Sequence, residues 1–405
     1  MRKFILFSLV LILIVGGALA VFLAATTPRT SDGITLPLPA DQRELLSAIP
    51  SDADAFALIP TAAAAWRRFE SNPITSEAAA IWKSDANLPS PWMLGAADLV
   101  VWRMGDANHY AFRLDPFRAL VVRTYLLFSA AEARVEGSTF LIGPPASGQP
   151  MADGVLQSLL DLAPAVPRAD ALVVQKGDAQ MFPPIARPAV SAVSVGEHEI
   201  NIVSRARDRE AIARPARPVA LPRGAILSAW FGEPPRIVGD VDRLIPGKIS
   251  TLLGDAGSFV LYDIEGGRLL PRPRGLFVVP STEQARAAAE NIRRVAELVG
   301  EVEVRADNIL IALDDRSIPA YDAEQFSALA LPATEWALRI DPARMVPILH
   351  RLGDNLALRF AAPRVYRSVR NLRGWIGHLE RAKTIEAALA AGVGQEELRV
   401  RIAAK

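Results

Sequence analysis

Three stretches of this chain share one pattern: residues 53–60 read ADAFALIP, residues 225–235 read AILSAWFGEPP, and residues 335–342 read EWALRIDP. Each stretch begins with a mostly apolar run, which is typical of a buried strand. Each run then reaches a proline or an Asp-Pro pair. These residues favour the first turn of a helix, because Asp caps free N–H groups and Pro needs no hydrogen bond there. The pattern therefore predicts strands that lead directly into helices.

The elements around these stretches follow the same order in both halves of the chain. The predicted elements of the first half are strand 53–59, helix 61–83, strands 98–104 and 109–114, helix 116–131 and hairpin 134–142. Those of the second half are strand 225–231, helix 235–253, strands 258–265 and 276–279, helix 282–299 and hairpin 302–313. This β-α-β-β-α-β order is typical of ferredoxin-like sheets.

Both halves continue with a helix and a terminal hairpin. The helices are predicted at 152–162 and 321–329, and the hairpins at 189–205 and 385–402. Between them, DALVVQKGDAQM at 170–181 matches EWALRIDPARM at 335–345. We therefore predict an α+β fold in which an N-terminal transmembrane helix precedes two tandem, duplicated ferredoxin-like units with these extensions. The alternative is that alternating strands and helices align by chance.

The predicted domain boundaries follow from these elements. They are a signal anchor at 1–25, a polar spacer at 26–46, a first α+β repeat at 47–205, an Arg/Pro linker at 206–223 and a second repeat at 224–405.

The predicted anchor is an uncharged apolar run at residues 4–25, long enough to cross a bilayer as a helix. Arg2 and Lys3 precede it, and the first charge after it is Arg29, so the positive-inside rule keeps the N-terminus in the cytoplasm. We expect a single-pass protein of the cytoplasmic (inner) membrane whose bulk is periplasmic. The alternative is a signal peptide cleaved near the small residues that end the run.

Composition and motifs argue against several classes of function. The formal net charge is +1, from 45 basic and 44 acidic residues, so the chain lacks the basic character of a nucleic-acid-binding protein. It has no cysteine, which excludes disulfides and thiolate metal sites. The sequence also contains no phosphate-binding loop, dinucleotide fingerprint, His-Glu-x-x-His pair or Gly-x-Ser-x-Gly elbow. We assign no catalytic residue, cofactor or metal ligand, and expect no nucleic-acid partner.

A few polar groups are candidates for chemistry. The four histidines, His109, His198, His350 and His378, are scattered over separate elements, which favours surface or core-edge positions. His198 stands between Glu197 and Glu199, but adjacent strand residues point to opposite faces, so a solvated turn is favoured over a metal site. The acidic pairs Asp52/Asp54 and Asp240/Asp242 lie near predicted helix starts, where capping explains them.

A basic stripe is predicted on a helix late in the chain. Arg364, Arg367, Arg370 and Arg373 recur every three residues, opposite an apolar face. Guanidinium groups in this arrangement suit anionic headgroups or an acidic protein surface. The ordinary alternative, a solvated helix face, is favoured because such faces are common.

The anchor, the spacer, the opening IPSDADAF at 49–56 and the phrase LPATEW at 331–336 resemble a group of uncharacterised bacterial envelope proteins known only as a domain of unknown function. The resemblance implies a membrane-anchored extracytoplasmic α+β protein and no catalytic residue. We therefore expect a non-enzymatic binding or scaffolding module of the cell envelope, with the membrane and an envelope protein as partners. The alternatives are a carrier or chaperone for lipid or other apolar cargo, and a hydrolase with an unrecognised site.

Overall fold

The structure is a computed structural model, and it describes part of the chain. The described residues are 33–34, 38–76, 79–80, 98–105, 107–114, 119–120, 122–124, 133–136, 139–143, 149–164, 166, 168–175, 189–207, 217–232, 256–265, 271–295, 300–355, 359, 366 and 380–405. Several predicted features lie outside them: the anchor at 4–25, most of helix 116–131, helix 235–253, Asp240, Asp242, His378 and the four stripe arginines.

Within the described ranges, no helix is both long and apolar enough to cross a membrane. The predicted anchor is outside these ranges, so the membrane attachment and the periplasmic location stay predictions.

The predicted ferredoxin-like fold is wrong. The described strands of each of the two compact units form an antiparallel sheet of eight strands, and two more strands form a small ribbon. In a ferredoxin-like unit the first two strands run parallel with another strand between them, whereas here Ala55–Ile59 pairs directly and antiparallel with Leu99–Met104. The sequence pattern shows that a helix lies between two strands. It does not show whether the chain returns parallel or antiparallel.

The chain forms two compact units: unit 1 is Met1–Glu197 with Ile202–Arg207, and unit 2 is His198–Asn201 with Asp208–Lys405. Elements of unit 1 are α1 (Ala40–Leu46), β1 (Ala55–Ile59), α2 (Ala62–Ser71), β2 (Leu99–Met104), β3 (Ala107–Arg113), β4 (Ala133–Glu136), β5 (Thr139–Ile142), α3 (Asp153–Leu160), β6 (Ala171–Gln175), β7 (Ala189–Val195) and β8 (Glu199–Arg207), whose first residues group with unit 2. The strand order is β8-β7-β6-β1-β2-β3-β5-β4.

Unit 2 contains the remaining described elements. They are β9 (Ala220–Pro222), β10 (Leu227–Phe231), β11 (Gly257–Glu265), β12 (Arg272–Pro280), α4 (Glu283–Val295), β13 (Val302–Val304), β14 (Asn308–Ala312), α5 (Ser317–Asp322), β15 (Phe326–Ala328), β16 (Trp336–Ile340), α6 (Pro342–Gly353), β17 (Ala382–Gly392) and β18 (Gln395–Ala404). The strand order is β18-β17-β16-β10-β11-β12-β14-β13. It repeats the order of unit 1 strand for strand, with β9 and β15 as an added ribbon. The duplication and the domain boundaries themselves stay predictions.

Alternation along the strands divides the core of unit 1 between the two faces of its sheet. On one face, Val100 and Trp102 of β2 pack in a cluster with Leu45 of α1 and Leu156 of α3. On the other face, Leu99 packs with residues of α2, β3 and β5, including the wholly buried Phe112 and Phe140. We call the first of these the α1 face.

The helix predicted over 61–83 is wrong in its extent, because α2 ends at Ser71. Asn72 has an extended backbone, and a residue before proline disfavours the helical conformation. The buried Asn72 side chain also donates to the Gly196 carbonyl at 2.8 Å and accepts from Ile74 N–H at 2.9 Å. These bonds stabilise the chain where it leaves the helix.

The core of unit 2 is divided in the same way. Ile309 and Ile311 of β14 pack with α4, whereas Leu310 packs on the opposite face with Ile318 of α5. The predicted Asp341 cap of α6 is confirmed, since its side chain accepts from Arg344 N–H at 3.3 Å.

Two local predictions in unit 2 are wrong. Residues 281–284 read STEQ, which predicts a capping box that starts at Ser281, but it is Thr282 Oγ1 that accepts from Ala285 N–H at 3.1 Å. Two adjacent hydroxyl residues made either assignment compatible with the sequence. The helix predicted at 321–329 is instead α5 followed by strand β15, which pairs with β9 inside the predicted linker. Arg339 reaches both strands of this ribbon, a long-range contact that local propensity does not reveal.

Tyr262 gives unit 2 a predicted pH dependence. Its hydroxyl is buried and has no hydrogen-bond partner among the described residues. Burial raises the pKa of Tyr262, and the Glu324 carboxylate raises it further. Because the unfolded chain ionises first, at about pH 10, the neutral tyrosine's contribution is complete below that pH and is lost as the pH rises further.

We expect Tyr262→Phe to leave the free energy of unfolding at pH 7 unchanged or raised by up to about 1 kcal/mol, because the buried hydroxyl makes no compensating bond. The variant should also lose less stability than the wild type between pH 9 and pH 11. Denaturant titrations at both pH values measure this difference, and equal losses in the two proteins would contradict it.

Candidate functional site

The sequence candidates that lie in the described ranges do not assemble into a site. Glu199 Oε2 lies 3.0 Å from Arg401 Nη2, and its other oxygen accepts from Asn201, so this carboxylate is used in exposed surface pairing. Asp54 accepts from Gly105 N–H at 3.0 Å and supports a turn. His350 is exposed on α6. Within the described part of the chain, no group of three or more His, Asp or Glu residues could hold a metal ion.

His109 is placed differently from the other described histidines. It is 5 % exposed and lies on β3 directly opposite Trp102 of β2. The two rings stack with centroids 5.4 Å apart and planes within 9°. A buried polar pair of this kind must have its hydrogen bonds satisfied or lose stability.

This pair lines a cleft on the α1 face of unit 1. The cleft has a volume of about 370 Å³ and lies between the C-terminal end of α1 and the strands β2 to β5. Its lining residues are Glu44, Ser47, Ala48, Pro50, Trp102, His109, Arg134, Glu136, Thr139, Leu141, Ile142, Gly143 and Pro150. The volume is in the range of small-ligand sites.

The floor and the rim of the cleft differ in character. The floor is aromatic and buried, whereas Glu44, Arg134 and Glu136 at the rim are exposed. Glu44 Oε2 is paired with Arg113 Nη1 at 2.5 Å. Among the described residues, Arg134 and Glu136 have no ion-pair or hydrogen-bond partner. Within the described part of the chain, the rim therefore presents one cation and one anion that are not paired.

Trp102 carries an unused donor at the floor of this cleft. The residue is 4 % exposed, and its indole Nε1 has no hydrogen-bond partner among the described residues. Leaving a buried donor unsatisfied costs about 1–3 kcal/mol.

Gly143 keeps the space beside His109 open. Its φ of +124° is a conformation that side chains rarely adopt, and a Cβ there would lie 3.0 Å from His109 Nδ1. Glycine therefore allows the β5 backbone to approach the imidazole closely.

The corresponding positions of unit 2 are apolar. Trp102 pairs with the second residue of β1 and with His109, whereas Val260 pairs with the second residue of β10 and with Leu276. Val260 and Leu276 are 0 % exposed. The same framework is thus closed by aliphatic packing in unit 2, so the fold does not require the polar aromatic pair of unit 1.

Sequence reasoning classified His109 as a surface or core-edge residue and did not connect it with Trp102. A signal existed: if Gly105 and Asp106 form a tight turn, positions 102 and 109 face each other across the hairpin. No such signal in the sequence indicated that α1, which is far away in the chain, forms one wall of the cleft.

The comparisons do not add a family. Scans against family models, curated proteins and solved structures find no match for this chain. The described residues define a mainly antiparallel β-sheet protein of two units with the same strand order, and unit 1 carries a polar aromatic cleft.

Proposed function

We propose that unit 1 is a non-enzymatic binding module for a polar ligand, held at the outer face of the cytoplasmic membrane by residues 4–25. The observation that supports it is a cleft that combines exposed charges at its rim with Trp102, whose buried indole N–H has no partner among the described residues. Buried polar groups are normally hydrogen-bonded, and a ligand acceptor that reached this donor would satisfy it.

The chemistry of the rim favours a polar ligand over the apolar cargo of a lipid carrier. Arg134 and Glu136 would have to lose hydration against an apolar chain without gaining partners. His109 stacks on Trp102 at the floor, and Glu44 is already paired with Arg113. These side chains are positioned for recognition, so binding is a better account of the cleft than acid-base chemistry.

Fragment binding to the full-length protein in detergent micelles tests this function. With 5-fluorotryptophan in place of the seven tryptophans, small amides and carboxylates should shift the ¹⁹F resonance of Trp102. Trp102→Phe removes the donor, so the affinity for those fragments should fall about tenfold, equivalent to roughly 1.4 kcal/mol.

Trp230→Phe, in unit 2, is the matched control and should leave fragment binding unchanged. Thermal melting of both variants separates lost binding from lost folding. The proposal fails if no fragment shifts the Trp102 resonance, or if both variants bind equally well.

A further inference from the structure

The outer edge of β4 lies beside the cleft. β4 is the last strand in its sheet order, so one of its sides has no neighbouring strand among those described. Glu136 pairs with Thr139, and only two residues separate them in the chain. In a hairpin of this kind, the two residues that close the turn normally form a hydrogen-bonded pair. Bonding alternates along an antiparallel pair, so the N–H and C=O of Val135 and Ala133 point outward.

The corresponding strand of unit 2 supports this reading. There Arg305 N–H donates to Asn308 O at 2.8 Å, which makes the equivalent closing pair the bonded one. The carbonyl of Val302, three pairs further on and therefore also outward, accepts from Arg293 Nη2 at 3.2 Å. Helix α4 thus covers part of the β13 edge. None of the described residues makes such a bond to the outer edge of β4.

The two charged residues of the cleft rim, Arg134 and Glu136, lie on β4 itself. Arg134 and Glu136 are two residues apart, so their side chains share one face, the face that lines the cleft. A strand added antiparallel to β4 would place a residue opposite each of them. An acidic residue opposite Arg134 and a basic one opposite Glu136 would form two cross-strand pairs.

We propose that unit 1 binds an extended peptide segment by strand addition to β4, with the charge order basic, any residue, acidic read from N- to C-terminus. The order follows from the antiparallel direction, because the residue opposite Glu136 comes first. The inference rests on the proposed binding function and names the class of its ligand. Backbone bonds to Val135 hold the segment, and its side chains on the cleft face reach the site that contains Trp102.

Two synthetic peptides of equal composition test the charge order on the full-length protein. Acetyl-Ser-Thr-Lys-Val-Glu-Thr-Ser-amide should bind at least about fivefold more tightly than the same peptide with Lys and Glu exchanged, measured by fluorescence anisotropy of labelled peptides. The double variant R134E/E136R should reverse this preference. Equal affinities for both peptides would overturn the proposal. The charges of Arg134 and Glu136 would then serve only to keep a short edge strand from pairing with other chains.

Val135→Pro tests the backbone contact. It removes an outward N–H and should leave the bonds to β5 intact, since proline is tolerated at sheet edges. We expect the Lys-Val-Glu peptide to bind at least tenfold more weakly, while Val135→Thr, which keeps the N–H and the branched shape, binds as the wild type does. Melting temperatures of both variants check folding.

The fragment assay separates the two proposals. If fragments still shift Trp102 but neither peptide binds, the cleft is a binding site and the peptide inference is wrong. If neither fragments nor peptides bind, both proposals are wrong.

Discussion

Replacing Asp170 by alanine is expected to lower the free energy of unfolding of unit 1 by about 3–5 kcal/mol, because it leaves a largely buried guanidinium without its counter-charge. The Asp170 side chain is 2 % exposed, and its Oδ1 lies 2.6 Å from Arg68 Nη2. Its Oδ2 accepts from Val195 N–H at 2.7 Å. The carboxylate therefore connects α2 to the end of β7, and alanine would remove both contacts.

Hydrogen exchange of peptides that cover β6 and β7 in the full-length protein measures this loss within unit 1. Glu335→Ala is the matched control, because Glu335 precedes β16 as Asp170 precedes β6 but is only half-buried. The double variant Arg68→Met/Asp170→Leu should recover much of the stability, since an apolar pair leaves no buried charge. A loss below about 1 kcal/mol for Asp170→Ala would contradict this account.

Arg339→Ala should have a comparable effect in unit 2, also about 3–5 kcal/mol. The Arg339 and Glu386 side chains are each 12 % exposed, and Nη2 of the arginine lies 2.8 Å from Oε1 of the glutamate. Nη1 donates to Ser327 Oγ at 2.7 Å and to the Leu221 carbonyl at 3.2 Å. One guanidinium thus joins β16 and β17 of the main sheet to the ribbon of β9 and β15.

The ribbon should respond first. We expect its amides in β9 and β15 to lose exchange protection more than those of β10 or β11, because Arg339 donates hydrogen bonds to both strands of the ribbon. Arg399→Ala is the control: Arg399 is 42 % exposed and pairs with Glu397, so its loss should cost no more than about 1 kcal/mol. Equal effects of the two substitutions would show that burial of the Arg339 pair is unimportant.

The sequence predicted individual elements better than their pairing. The hairpin expected at 302–313 is β13 and β14, and the hairpins expected at 189–205 and 385–402 are β7/β8 and β17/β18. Short apolar runs separated by turn residues carry this information locally. The ferredoxin-like arrangement failed because the direction in which β1 and β2 pair depends on how the intervening chain packs, and no local pattern encodes that.

The candidate site shows the same division. Trp102 and His109 could have been paired from the turn between them, since both belong to one hairpin. Glu44 and Arg113, by contrast, meet across separate elements at 2.5 Å. Whether Arg134 and Glu136 find a partner likewise depends on residues distant in sequence, and none of the described ones pairs with them. Such contacts are set by packing.

By itself, the sequence determined where most strands of the main sheet, several hairpins and the Asp341 cap of α6 lie, because alternation, turn residues and capping act between close neighbours in the chain. Only the tertiary structure decided the antiparallel sheet order and the ribbon held by Arg339. It also decided that one hairpin buries Trp102 against His109 with its indole N–H unsatisfied, whereas the equivalent hairpin of unit 2 is filled by Val260 and Leu276. The physical reason is that burial and hydrogen-bond satisfaction depend on all residues that surround a group in space, most of which are distant in sequence.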